Sequence, residues 1–107
     1  MGIEGQGNIT PEMRATYQQQ FSRSVDLFQK SLAEYEKADE QHKKDKFKDV
    51  MDKSLNIMNQ TAKAAMSSSA QKQEKKLESD YQNLMANHSS ENLAKVQKDI
   101  ENLKGYA

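Results

Sequence analysis

Few residues in this chain could carry out chemistry. It has two histidines and no cysteine. His42 lies three residues from both Asp39 and Asp45, and a histidine flanked by carboxylates at helical spacing is one way to bind a metal ion. A single group of this kind supplies too few ligands, and three lysines in the same stretch would repel a cation. We therefore predict a solvated, charged segment here and no metal site.

The hydroxyl groups do not form a recognisable catalytic site either. The serines at 67–69 lack the glycine-flanked strand-to-helix turn that exposes a nucleophilic serine in hydrolases, and no glycine-rich loop is present to bind a phosphate. His88 lies among turn-forming residues, where we expect it to serve the turn. Because the chain has no cysteine, thiol chemistry is excluded. We predict that the protein is not an enzyme and uses no cofactor.

The charge balance argues against nucleic acid as a partner. Sixteen basic and sixteen acidic residues cancel across the 107 residues, whereas binding to phosphates calls for a basic surplus. The basic side chains of Lys72, Lys75 and Lys76 are interspersed with Glu74 and Glu78, a mixture that predicts a solvated face.

Apolar runs along the chain are short. The run at 64–66 is only three residues long, whereas a membrane span needs about twenty apolar residues. A cleavable signal peptide needs an apolar region after a basic start, which the sequence lacks. We therefore expect the protein to be cytoplasmic, or exported without a cleaved signal peptide.

Methionine is the residue type that most suggests binding. Five methionines follow Met1, and methionine is used both in irregular cores and on surfaces that repack around partners. Two interpretations stay open: the methionines fill a thin core, or they belong to a helix face that docks a partner. The candidate partner-binding residues are Met51, Leu55, Met58, Ala62, Ala65 and Met66.

The elements that position these residues are predicted to be helices. Thr10, Pro11 and Glu12 mark a helix start, with a capping hydroxyl, a proline suited to the first helical position and a carboxylate facing the helix dipole. Residues 11–104 contain no further proline and no glycine, and helix-forming residues dominate them. Because three of the four glycines precede Thr10, residues 1–10 are predicted to be a flexible tail. The fold class is all-α, with a single helical domain over 11–107.

Apolar residues recur every three or four positions and form four narrow stripes. Each stripe is closer to a coiled-coil seam than to the broad face of a globular helix, so each helix must pack against another. We predict helices over about 11–41, 46–86 and 90–104, arranged as an antiparallel helical hairpin or three-helix bundle with coiled-coil-like packing. The stripes comprise Met13, Tyr17, Phe21, Val25, Phe28, Leu32 and Tyr35; Phe47, Val50, Met51, Leu55, Met58, Ala62, Ala65 and Met66; Leu77, Tyr81, Leu84 and Met85; and Leu93, Val96, Ile100 and Leu103.

Two segments are candidates for a turn or a bend. The charged stretch 36–46 either forms a turn or continues as a solvated helix, and both interpretations stay open. Ser68 and Gln71 have the spacing of a capping box, which marks a bend within the second predicted helix.

The strongest predicted break covers residues 86–91. We expect Asn87 to end one helix in the left-handed conformation, and Ser89 or Ser90 to cap the next. Gly105 is expected to stop the last helix.

Residues 81–97 (YQNLMANHSSENLAKVQ) resemble the helix–turn–helix of small type III secretion components, needle-type subunits above all. Members of that family are short, cysteine-free helical hairpins with a mobile N-terminus. The resemblance implies a polymerising or chaperoned export component without catalytic residues.

These observations favour a non-enzymatic helical protein–protein interaction module, such as an adaptor, chaperone or structural subunit. Its partner would be another helical protein or a second copy of the chain, bound through the apolar stripes. Two alternatives are a peripheral amphipathic protein that lies on a membrane or another surface, and a small exported component of a secretion system. The even mixture of charges beside the stripes favours protein partners over lipid.

Overall fold

A computed structural model describes residues 9–106 and places them in four α-helices. The helices are α1 (Pro11–Lys37), α2 (Gln41–Ala65), α3 (Ser68–Ala86) and α4 (Ser90–Lys104). The described residues include no β-strand, so the predicted all-α class is confirmed. The predicted tail falls mostly on residues 1–8, outside the described range.

The start of α1 is the one the sequence predicts. Thr10 is the N-cap, and its hydroxyl accepts a hydrogen bond from the Met13 backbone N–H at 3.0 Å. Pro11 opens the helix and Glu12 lies in its first turn. The hydroxyl satisfies one of the N–H groups that a helix start leaves without a partner.

The charged stretch 36–46 contains a turn rather than a continuous helix. Helix α1 ends at Lys37, earlier than the predicted 41, and α2 begins at Gln41, earlier than the predicted 46. Lys44 stabilises this turn, because its ammonium group donates to the Tyr35 carbonyl at 3.2 Å and lies 4.7 Å from the centre of the Tyr35 ring. Most of the charged stretch therefore joins α2.

A second break corrects the prediction of one helix over 46–86. Helix α2 ends at Ala65, and Ser67 caps α3 by accepting from the Ala70 N–H at 3.2 Å. Gln71 donates back to the Met66 carbonyl at 3.1 Å. The capping signal was recognised but placed one residue late, at Ser68, and it begins a new helix instead of bending a continuous one.

The third break lies where it was predicted but uses different backbone geometry. Asn87 has an extended backbone (φ −147°, ψ 91°), so the expected left-handed conformation is wrong. Ser89 caps α4 by accepting from the Asn92 N–H at 3.1 Å, which confirms the predicted helix over 90–104. Gly105 follows the last residue of α4 but stays right-handed (φ −67°, ψ −18°), so its left-handed freedom is not used.

One core collects residues from all four predicted stripes. It includes an edge-to-face pair of Phe28 and Tyr81, whose ring centres lie 5.4 Å apart at 74°. Met13 is an exception, since it begins the first stripe but is exposed. The core consists of Phe21, Val25, Phe28, Leu32, Met51, Leu55, Met58, Ala62, Leu77, Tyr81, Leu84, Val96, Ile100 and Leu103.

The four helices form a bundle of 51 × 23 × 20 Å. Helix α1 packs most extensively on α2, and α3 on α4, while smaller α2–α3 and α1–α4 contacts close the ring. Gln18 near the start of α1 donates to the carbonyl of Ala65 at the end of α2, at 3.4 Å. Lys44, near the start of α2, contacts the Tyr35 carbonyl near the end of α1.

Candidate interaction surface and buried acid pairs

The predicted partner-binding residues lie in the core of the bundle. Met51, Leu55, Met58, Ala62 and Ala65 are buried, and Met66 is half-buried and packs against the core. Their burial favours the alternative interpretation that they fill the core. Partner binding by these residues stays a prediction, and it requires the bundle to open.

A different apolar surface is exposed on the outside of α1 and α2. Leu27 of α1 is 44% exposed and Ile57 of α2 is 40% exposed, and they line a groove of about 590 Å³ between the two helices. We call this surface the outer groove. It is lined by Tyr17, Gln20, Arg23, Ser24, Leu27, Ile57, Gln60, Thr61 and Ala64.

The outer groove follows from a second apolar row beside the core stripe. On α2 this row is Val50, Ile57 and Ala64, which are seven residues apart and so share one side of the helix. On α1, Met13 and Leu27 are fourteen residues apart, twice that spacing, and so also share one side of their helix. Leu27 and Ile57 were not predicted to form a surface because only one stripe per helix was considered, although the seven-residue spacing of this second row is visible in the sequence.

The floor of the outer groove is closely packed and offers few free polar groups. Ser24 and Thr61 are buried, and their hydroxyls donate within their own helices, to the Phe21 carbonyl at 2.8 Å and the Ile57 carbonyl at 2.7 Å. Arg23 is the one charged residue among those lining the groove, and it forms no ion pair with any residue of 9–106. The outer groove therefore combines the apolar side chains of Leu27, Ile57 and Ala64 with polar neighbours and one cation, which has no ion-pair partner among residues 9–106.

A buried carboxyl group joins α3 to α2. Glu74 is 1% exposed, and Asn59 of α2 donates to its Oε1 at 3.0 Å and to Oε2 of Glu78 at 3.3 Å. Glu74 Oε2 has no hydrogen-bond donor in the part of the chain that the structure describes. Burial, and then hydrogen bonding to the Glu78 carboxylate, raise the pKa of Glu74 to about 8. At neutral pH Glu74 is thus protonated and can donate to Glu78.

A second buried carboxyl group lies on the other side of α3. Asp99 of α4 is 1% exposed, and its Oδ1 accepts from Gln73 at 3.1 Å and lies 3.5 Å from the Lys76 ammonium group. Burial, and then hydrogen bonding to Asp80, raise the pKa of Asp99 to about 6. The same hydrogen bond, followed by Lys76 at 2.8 Å, holds the pKa of Asp80 below its usual range.

Neither buried acid was predicted from the sequence. The segment with Glu74 was assigned to a solvated face because lysines surround it. Glu74 nevertheless falls on the stripe that runs Ala70, Glu74, Leu77, Tyr81 and Leu84, with alternating steps of four and three. An acid at a seam position of a coiled-coil pattern is the signal that could have found it.

The other candidate residues have structural surroundings. His42 is exposed, with Nε2 3.5 Å from Oε1 of Glu40, and His88 Nε2 lies 2.9 Å from the Glu36 carboxylate across the end of the bundle. Ser67 of the serine run caps α3. Within 9–106, no group of three or more histidine, aspartate or glutamate side chains is arranged to hold a metal ion.

No protein-family model matches the chain, and no curated protein or solved structure matches it either. Among residues 9–106, no helix has the length and apolar character to cross a bilayer.

Proposed function

We propose that the protein is a non-enzymatic helical interaction module built from two antiparallel hairpins with coiled-coil-like packing, α1–α2 and α3–α4. The observation that carries the proposal is the position of its exposed apolar residues. Of the four large apolar side chains exposed in residues 9–106, Leu27 and Ile57 lie on the outer groove and Met13 lies one turn before Tyr17. A contiguous exposed apolar surface on an otherwise charged protein is typical of a binding site.

The occupant that fits the outer groove is an amphipathic helix of another protein. A groove between two packed helices accepts a third helix through apolar residues at three- and four-residue spacing. Arg23 is exposed in the free bundle, and a helix that covers it needs an acidic residue there because a cation buried without a partner is costly. A second copy of the chain satisfies this need poorly, since the residues lining its outer groove include no acid to pair with Arg23.

A pair of designed peptides tests this proposal. The first is a 21-residue amphipathic helix with leucine at each seam position and glutamate beside the seam, and the second has lysine in place of glutamate. We expect the acidic peptide to shift the NMR amide signals around Leu27 and Ile57 and to bind at least tenfold more tightly. Replacing Arg23→Glu should reverse the preference between the two peptides.

Matched variants separate docking from folding. Leu27→Glu combined with Ile57→Glu should weaken the acidic peptide at least tenfold, since truncated apolar anchors typically cost more than ~1 kcal/mol. Asn56→Glu combined with Gln82→Glu adds the same charge at two exposed positions in the groove between α2 and α3, and should leave binding unchanged. The proposal would be contradicted if the acidic peptide bound the Leu27→Glu/Ile57→Glu variant as tightly as the Asn56→Glu/Gln82→Glu variant. Light-scattering detection of a dimer, or tight binding to anionic vesicles, would favour self-association or a surface-bound protein instead.

A small exported component of a secretion system is a second candidate. Residues 81–97 comprise the end of α3, the short connection and the start of α4, the helix–turn–helix that the resemblance to needle-type subunits implies. Light scattering of the purified chain over a concentration series tests this candidate, and the formation of polymers would favour it.

A further inference from the structure

We propose that the α3–α4 pair is a proton-controlled closure, which stays packed on α1–α2 while Glu74 carries a proton and separates from α2 when Glu74 ionises. Separation would uncover the core face of α2, with Met51, Met58 and Ala62. This inference concerns the inside of the bundle and does not depend on docking in the outer groove.

The geometry around Glu74 supplies the first argument. The carboxyl is fully buried between α3 and α2, yet its only donor among residues 9–106 is the Asn59 amide. A protonated carboxyl satisfies its free oxygen by donating to Glu78. An ionised one leaves a buried charge beside a second carboxylate, which is strongly unfavourable.

The charges around Glu74 relieve only a small part of this cost. On its own helix, Glu78 is an acid, and Lys75 lowers the pKa of Glu74 but is exposed and lies 3.8 Å from Glu78. From α2 the contact is the neutral Asn59, while Asp52 of that helix accepts from Tyr81 at 2.7 Å.

The charged groups of α4 interact with a different residue of α3. Asp99 and Lys95 lower the pKa of Asp80, which lies on the far side of α3 from Glu74. No cation of residues 9–106 lies within ion-pair distance of Glu74.

The packing of the bundle decides where it opens. Helix α3 packs far less extensively on α2 than on α4, and α1 packs far less on α4 than on α2. The two hairpins are therefore each held together more firmly than they are held to one another. The acid lies in the weaker of the two interfaces of α3, so its ionisation acts where separation costs least.

The direction of the pH effect follows from the two states of Glu74. In the closed bundle its pKa is about 8, against 4.5 for the ordinary solvated group. The closed state therefore holds its proton more tightly than the open state, and opening becomes more favourable as pH rises between these values. The opening constant should rise roughly tenfold per pH unit up to about pH 8 and then level off.

Single cysteines can report this opening because the chain has none of its own. Ala62→Cys places a thiol in the core face of α2, Ser24→Cys places one in the buried α1–α2 interface, and Ser69→Cys places one on the exposed surface as a measure of intrinsic reactivity. The labelling rate with a methanethiosulfonate reagent, divided by the rate at position 69, measures opening at each site. Between pH 6 and 8 we expect the normalised rate at position 62 to rise about fiftyfold, since Glu74 of the closed state is already half ionised at pH 8.

Two comparisons decide the outcome. At pH 8 the normalised rate at position 62 should exceed that at position 24 by at least tenfold, because only the α2–α3 interface opens. Equal rates would mean global unfolding and would overturn the proposal. In a Glu74→Gln background the rise at position 62 should disappear, whereas Glu34→Gln, which removes an exposed acid of α1, should leave it intact.

A second variant keeps the proposal testable if Glu74→Gln does not fold. Glu74→Met has similar volume and no ionisable group, so it should also give a labelling rate at position 62 that does not rise from pH 6 to 8. A rise that persists in whichever of the two variants is folded by circular dichroism would overturn the proposal, as would a flat rate in the parent protein.

Discussion

The α1–α2 interface and the two interfaces of α3 are held together by different chemistry. The buried polar side chains of α1 and α2 are all small hydroxyls, Ser24, Ser31, Ser54 and Thr61. Those of Ser24, Ser54 and Thr61 donate hydrogen bonds within their own helices. Around α3 the buried polar groups are the carboxyls of Glu74 and Asp99, which bond across to neighbouring helices. Among residues 9–106, the buried polar side chains of the first interface therefore include no acid or base, whereas those of the second depend on protons.

Small hydroxyl residues explain why α1 and α2 pack so extensively. A serine bonded to its own helix presents little volume and no free donor, so the two backbones can approach closely without an unsatisfied group. A carboxyl is larger and must find donors in the partner helix or carry a proton. We therefore expect truncation of buried apolar side chains to destabilise both helix pairs, α1–α2 and α3–α4, whereas a rise in pH should destabilise only the packing of α3.

The largest expected effect is from Phe28→Ala. Phe28 is fully buried and its ring contacts Tyr81 of α3, so truncation should lower the free energy of unfolding by ~3–5 kcal/mol. The adjacent Leu27→Ala serves as control because Leu27 is exposed, and it should change stability by less than ~0.5 kcal/mol. Urea denaturation followed by circular dichroism measures both. Similar midpoints for the two variants would show that the core is not where the structure places it.

The next effect comes from pH and Glu74. Because the folded-state pKa of about 8 lies above the unfolded value of 4.5, the contribution of Glu74 to stability is complete below pH 4.5 and is lost as pH rises towards 8. Each pH unit in this window should remove about 1.4 kcal/mol of that contribution. Denaturant titrations at half-unit steps between pH 6 and 8, above the window in which Asp99 titrates, should show the fall in the parent protein and its absence in Glu74→Gln. A stability that increases with pH across this window would contradict the assignment of a proton to Glu74.

Asp99 gives a smaller effect in a lower pH window. Its folded-state pKa of about 6 exceeds the ordinary 3.8, so its contribution is complete below 3.8 and is lost by about pH 6. The contribution of Asp80 to stability has the opposite pH dependence. Its pKa is lowered by folding, so its contribution is complete above pH 3.8 and is lost as pH falls below that value. Asp99→Asn should make the slope between pH 3.8 and 6 less steep, because only Glu74 still contributes there, and should keep the slope that Glu74 produces above pH 6. Loss of both slopes in this single variant would show that the two acid pairs are not independent.

The contrast between the regions also explains what the sequence could predict. The start of α1 at Pro11 and the whole of α4 were predictable because each is signalled locally, by Thr10 and by Ser89 with Glu91. The turn at 38–40 was left open since its stabilising contact, from Lys44 to Tyr35, forms only when α2 folds back on α1. Burial of Glu74 and Asp99 was missed because lysine-rich surroundings in sequence do not show which side of the helix a neighbour covers.

The placement of the partner surface was missed for a related reason. The stripe of Met51, Leu55 and Met58 is the more apolar one, and in a bundle the more apolar face goes inside. What remains for a partner is the weaker second row with Leu27 and Ile57. A sequence can rank two apolar faces of a helix. Whether the more apolar face is covered by the same chain depends on the number of helices, and residues 9–106 form four instead of the predicted three.

The smallest expected effect tests the hydroxyl side of the comparison. Ser54 is fully buried, but its hydroxyl donates at 2.8 Å to the Val50 carbonyl of its own helix, which already accepts a backbone hydrogen bond. Ser54→Ala should therefore change the free energy of unfolding by less than ~1 kcal/mol, with the same value at pH 6 and pH 9. If Ser54→Ala lowered the free energy of unfolding as much as Phe28→Ala, or if its effect changed with pH, the α1–α2 interface would contain a polar network. The distinction between a proton-independent α1–α2 interface and proton-dependent packing of α3 would then not hold.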